Sequence, residues 1–148
     1  MSGEKYRFDL LAKEMVVARL KGDPDAPAKA ADLARQTIVA GIKGTKAAGS
    51  TQPPSESVRL ITKGIIAGLL LLEADLAEGS VEILKQLADA GQQVGLESTE
   101  MMTWAMEGIA DNAPMIQASQ LEAIRGAIDS AFMGAGTIFN ELCGKIRG

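Results

Sequence analysis

Gly64-Ile65-Ile66-Ala67-Gly68-Leu69-Leu70-Leu71-Leu72 is the longest uninterrupted apolar run in the chain. Wound at about 100° per residue, it sets Val58, Ile61, Ile65, Gly68, Leu69, Leu72 and Leu76 on one face, the stripe of an amphipathic helix. Ile66 and Leu70 fall roughly opposite, in the sector that also holds Arg59, Lys63 and Glu73. A helix apolar on both sides is central in a bundle, docks on a partner, or meets lipid. The run is far short of the roughly 20 residues that a bilayer span needs, and Lys63 stands just before it.

The surrounding chain has 148 residues, 47% hydrophobic and 23% charged, an ordinary globular composition. One domain over residues 1–148 is expected, large enough to fold without a metal or a disulfide. Aromatic content is only 3%, and the apolar residues are mainly Ala, Leu, Ile and Met, which favours helices over strands. The lone Cys143 rules out an internal disulfide framework and suits a reducing compartment. No signal peptide is visible in Met1-Ser2-Gly3-Glu4-Lys5, and Cys143 does not fit the prenylation pattern, so a cytoplasmic location is expected.

The net charge of −4 is unevenly spread. Residues 1–48 carry nine Lys/Arg against six Asp/Glu, whereas Glu73 to Glu122 holds ten acids and one base, Lys85. The acidic half disfavours nucleic acid, and no nucleic-acid partner is expected. The gradient lets the two ends attract each other, within one bundle or between subunits.

Five helical segments follow from periodicity and breaks: 5–21, 28–48, 56–78, 80–110 and 115–146. The first lacks a clean face. Phe8, Leu11, Met15 and Ala18 form one stripe, and Tyr6, Leu10, Val17 and Leu20 another on the opposite side. Burial between two layers is the expectation, with a second subunit as the alternative. The second has a mostly small inner face of Ala30, Ala34, Gly41, Gly44 and Ala48, with Leu33 and Ile38. Residues 79–80 read either as a true break or as a bend, and one face keeps phase from Val81 to Ile109 across Gly91 and Gly95. In the last helix, Arg125/Asp129 and Glu141/Lys145 are spaced to pair, and Gly134 and Gly136 are candidate kinks.

Ile38-x-x-Gly41-Ile42 matches Ile61-x-x-Gly64-Ile65, and Ala105-x-x-Gly108-Ile109 and Ala123-x-x-Gly126-Ala127 are looser versions. The spacing is too irregular for a solenoid repeat. A glycine inside a helix costs about 0.8–1.0 kcal/mol relative to alanine, so these glycines need a compensating cause. Close approach of another helix supplies one, and Gly41, Gly64, Gly68, Gly91, Gly95 and Gly108 are the expected packing positions. The expected fold is all-α, an antiparallel bundle of four or five helices with close Gly/Ala-mediated packing.

The sequence has no histidine, which removes the commonest general base and metal ligand together. Glu78/Glu82 and Glu97/Glu100 are carboxylate pairs at helical spacing and read as solvated faces. Gly41-Ile42-Lys43-Gly44-Thr45-Lys46 departs from the Walker pattern, with Lys and Thr in the wrong order and no strand before it. Met101, Met102, Met106 and Met115 cluster near Trp104; copper binding and gap filling both use thioethers, and packing is the plainer reading. Trp104 lies off the core face among Glu97, Glu100 and Glu107, where an exposed ring would mark a docking surface. Cys143 has no activating neighbour.

No motif ties the chain to a known family. Its layout of amphipathic helices without catalytic groups is similar to that of phasin-type granule coats, a likeness of layout alone. The expectation is a non-enzymatic bundle without metal or cofactor that acts by self-association or by binding a protein. Ile66, Leu70, Met101, Trp104, Tyr6, Leu10 and Val17 are the candidate interface. The alternative is an amphipathic coat that opens to lay Ile65 to Leu72 on a membrane or storage granule, which the long acidic stretch disfavours on anionic lipid. A small-ligand-binding bundle is the remote third reading.

Overall fold

The computed structural model describes residues 7–147, and the described residues form seven α-helices and one 3-10 turn. These are α1 (Phe8–Leu20), α2 (Ala26–Ala47), α3 (Pro54–Leu71), α4 (Leu76–Val94), α5 (Ser98–Ala110), the turn Ala113–Met115, α6 (Ala118–Ala131) and α7 (Ala135–Arg147). The expected four or five helices are therefore seven, because two long predicted helices each divide.

Segment 80–110 divides at Gly95, which takes a left-handed conformation with φ +70° that ends α4. The amide of Leu96 then donates back to the Gly91 carbonyl at 2.9 Å. The unbroken apolar phase across this point belongs to two helices. Segment 115–146 divides at Gly134, φ +89°. There the Asp129 carboxylate accepts the amides of Gly134 and Gly136, at 3.2 and 3.1 Å, and secures the entry to α7. Arg125 pairs with Glu122 rather than with Asp129.

The third predicted helix stops earlier than expected. Glu73 adopts φ 56°, and the amides of Leu72, Glu73 and Ala74 bond back to Gly68, Leu70 and Leu69. Asp75 then caps α4 by accepting the Glu78 amide at 3.0 Å. Gly79 and Ser80 are buried inside α4 and mark neither a loop nor a kink.

The helices stack in two layers, α1, α3, α5 and α7 in one and α2, α4 and α6 in the other, each packing on the next of its layer. The first two helices of each layer run parallel. Gly64 faces Asp9 and Ala12 of α1, and Gly68, one turn on, faces Lys13 and Val16. In the other layer Pro27 lies by Gly79, while Arg35 reaches Gln86 and Asp89 at 3.0 Å each. An antiparallel bundle was expected; the chain instead crosses between layers, and parallel pairs result. This is how helix pairs stack in solenoids, though without a regular repeat.

Glycine sets how closely the layers are seamed. A Cβ on Gly64 would overlap the Asp9 carbonyl oxygen and stand 2.9 Å from Ala12 Cβ; one on Gly68 would stand 2.7 Å from Val16 Cβ. A Cβ on Gly108 of α5 would overlap the Arg59 carbonyl oxygen and stand 2.9 Å from Thr62 Cβ. Two of the four copies of the recurring theme mark equivalent seams, Gly64 seating α3 on α1 and Gly108 seating α5 on α3, while Gly126 has open space around it. Gly41 is tight only against side chains, at 3.3 Å from Ile61 Cδ1, and Gly91 is crowded by the Leu96 carbonyl rather than by another helix. Gly95 has open space where its Cβ would be, so it serves as a cap and not as a packing position. Gly79, against Leu69, and Gly136, against Asp129, are further close approaches that the pattern did not single out.

The core lies between the layers. Ile38, Ile61, Ile65, Ile66, Leu69, Ile83, Leu84, Leu87, Ile109, Ile124 and Phe139 are fully enclosed. Each such side chain contributes about 1.5–3 kcal/mol through burial. Among the described residues, no helix is long and apolar enough to cross a membrane.

Candidate functional site

The candidate interface residues do not share one surface. Ile66 and Met101 are both 0% exposed and present nothing to a partner. The Arg59, Thr62 and Lys63 side of α3, where Ile66 also lies, is the side that α5 crosses. Leu70 and Val17 are half-buried, and Tyr6 lies outside the described residues. Of the coat segment, Ile65, Ile66, Gly68 and Leu69 are buried and only Leu71 is well exposed. The methionines also separate: Met101 and Met106 are buried, Met102 is half-buried, and Met115 is exposed.

Trp104 walls a cleft of about 530 Å³ together with Ser55, Glu56, Arg59, Leu60 and Glu107. The start of α3 supplies one side and the outer face of α5 the other. The ring is half-buried and packs against the core, which fixes its position. Arg59 does not reach freely into the cleft, because its guanidinium forms a two-pronged pair with Asp111, Nε to Oδ2 and Nη2 to Oδ1, each 2.7 Å. Its Nη1 lies 3.5 Å from Glu107 Oε2. The hydrogen bond to Asp111 raises the Arg59 pKa above its ordinary value, against the opposing effect of burial. Asn112 secures the same junction by donating its amide to the Lys63 carbonyl at 3.1 Å. A smaller cavity of about 140 Å³ adjoins Arg59 and Glu107 and is also lined by Lys145.

The second feature is the outside of α1. Ala12, Val16 and Leu20 turn inward, while Leu10 and Leu11 are 47% and 49% exposed. Leu71, on the last turn of the adjoining α3, is 60% exposed. The expected burial of α1 between two layers is corrected here: it is the end helix of its layer, and among the described residues no other helix lies over its outer side. Arrays of stacked helices ordinarily close with a polar outer face; that of α1 sets Leu10 and Leu11 beside the exposed Glu14.

The remaining candidates bring no groups together. Cys143 is buried and lines a cavity of about 300 Å³ between α6 and α7 with Phe139 and Leu121. Glu78, Glu97 and Glu100 are exposed and Glu82 is half-buried, and among the described residues no three His, Cys, Asp or Glu side chains are grouped to hold a metal ion. The charge gradient is partly met within the chain, through Arg35 with Asp89. No family model matches the chain, and comparison with curated proteins and with solved structures finds no match.

Proposed function

We propose that this chain is a non-catalytic helical module that works by self-association, with the outer face of α1 as the docking surface and a second copy as its occupant. The observation that carries this reading is the pair Leu10 and Leu11, half exposed side by side on the end helix of a stack. Apolar side chains displayed together on an end element favour association. Charge supports a second copy as the occupant: residues 1–48 are net basic and residues 73–122 strongly acidic, so two molecules attract when the basic end of one meets the acidic middle of the other. The lack of histidine in the sequence supports the non-catalytic part of the reading.

Light scattering across a concentration series tests it. The wild type is expected to gain mass with concentration, and a Leu10→Glu/Leu11→Glu variant to stay monomeric with an unchanged circular dichroism spectrum. A wild type that stays monomeric to high micromolar concentration contradicts the reading.

A further inference from the structure

We infer that two copies of α1 pair antiparallel about a two-fold axis between Leu10 and Leu11, with Arg7 of each copy opposite Glu14 of the other. The inference rests on the self-association reading and names the surface of the second copy that covers α1.

At a spacing of three and four residues, Arg7, Leu10, Glu14, Val17 and Lys21 fall in one line along the outside of α1, with Leu11 and Ala18 beside it. All are exposed except the half-buried Val17. A line of this spacing packs along a second helix, and a two-fold interface sets one residue against another in both directions at once. The charges choose the register. A parallel pair sets each residue against itself, so Arg7, Glu14 and Lys21 all meet like charge. An antiparallel pair centred on Glu14 joins the two Glu14 carboxylates and sets Arg7 against Lys21, again like against like. Centring between Val17 and Ala18 matches Glu14 with Lys21, but Leu10 and Leu11 then fall opposite residues 24–25, past the end of the partner helix. Centring between Leu10 and Leu11 covers both leucines with their counterparts and crosses Arg7 with Glu14 twice.

Both charged groups can take part. The Glu14 carboxylate is exposed and has no ion pair or hydrogen bond among the described residues. Arg7 is 67% exposed and touches Asp9 through Nε at 3.4 Å, which leaves its two Nη groups without a partner among the described residues. Helix α1 is itself neutral, with Asp9 and Glu14 against Lys13 and Arg19, so two copies meet there without net repulsion.

Sedimentation equilibrium of charge-reversed variants tests the pairing. The wild type should saturate at the mass of a dimer. Arg7→Glu and Glu14→Arg should each weaken the dimer about tenfold or more, because both crossed pairs become repulsive. An equimolar mixture of the two variants should recover the wild-type dimer, since the substituted positions then face each other and the native ones do likewise. The double variant Arg7→Glu/Glu14→Arg should recover it alone, which separates lost pairing from lost folding. A wild type that stays monomeric overturns the self-association reading and this pairing with it. A wild type that associates overturns the pairing alone if its mass grows past a dimer, if the single reversals associate as strongly, or if neither the mixture nor the double variant recovers.

Discussion

Helices α1 and α3 lie side by side, run parallel, and carry the same kind of sequence, apolar on two opposite sides. In α3 both sides are covered: α1 packs against Gly64 and Gly68, α5 crosses at Arg59 and Thr62, and Ile66 is sealed inside. In α1 only one side is covered, and Leu10 and Leu11 stay half exposed. Place in the stack separates the two helices, because among the described residues α3 has layer neighbours on both sides and α1 has one. The Ile66 side of α3 is core, whereas the side of α1 that carries Leu10 and Leu11 is surface.

The largest expected effect sets the two stripes against each other. Ile66→Ala removes a fully enclosed side chain and should cost about 3 kcal/mol in chemical denaturation, whereas Leu10→Ala should cost under about 1 kcal/mol in dilute solution. Equal losses would remove the distinction. Next comes the seam that joins the two helices. Gly64→Ala drives a methyl group into the backbone of Asp9 and should lower stability by about 2–3 kcal/mol, with less resistance to urea. A neutral result would mean that α1 can slide on α3 without loss.

On the other side of α3, Asp111→Asn removes the closer of the two carboxylates that Arg59 pairs with. A loss of about 1 kcal/mol is expected, since Arg59 is partly solvated, together with faster amide exchange at the end of α5. The smallest effect is a control remote from both helices. Gly126 lies inside α6 with nothing within 4 Å of an added Cβ, so Gly126→Ala should raise stability by about 0.5–1 kcal/mol. A loss there would mean that glycine matters for more than close approach.

The helical class and the inner stripe of α3 were legible in the sequence, since Val58, Ile61, Ile65 and Leu69 follow the helical period and are all buried. The number of helices was not, because apolar phase continues from α4 into α5 and hides the turn at Gly95. Glycines were the ambiguous letters. Gly64, Gly95 and Gly126 are alike in sequence, yet one is a close approach, one a left-handed cap and one an open position. One missed boundary did leave a signal: Asp75-Leu76-Ala77-Glu78 has the spacing of a helix start, and Gly79-Ser80 drew attention from it. Trp104 drew attention in the sequence by lying off the core face; the structure has it half-buried against the core, and its neighbours Ser55, Glu56 and Arg59 come from a distant segment that only packing brings near.

Thiol labelling at the two stripes tests the contrast most directly. In a Cys143→Ala background, single cysteines are placed by Leu10→Cys and Ile66→Cys, and reaction rates with a maleimide are followed as protein concentration rises. The cysteine at position 66 should be protected at every concentration, and the one at position 10 should react freely when dilute and become protected as copies associate. A position 10 cysteine equally reactive at all concentrations, or a position 66 cysteine as reactive as it, would contradict the account.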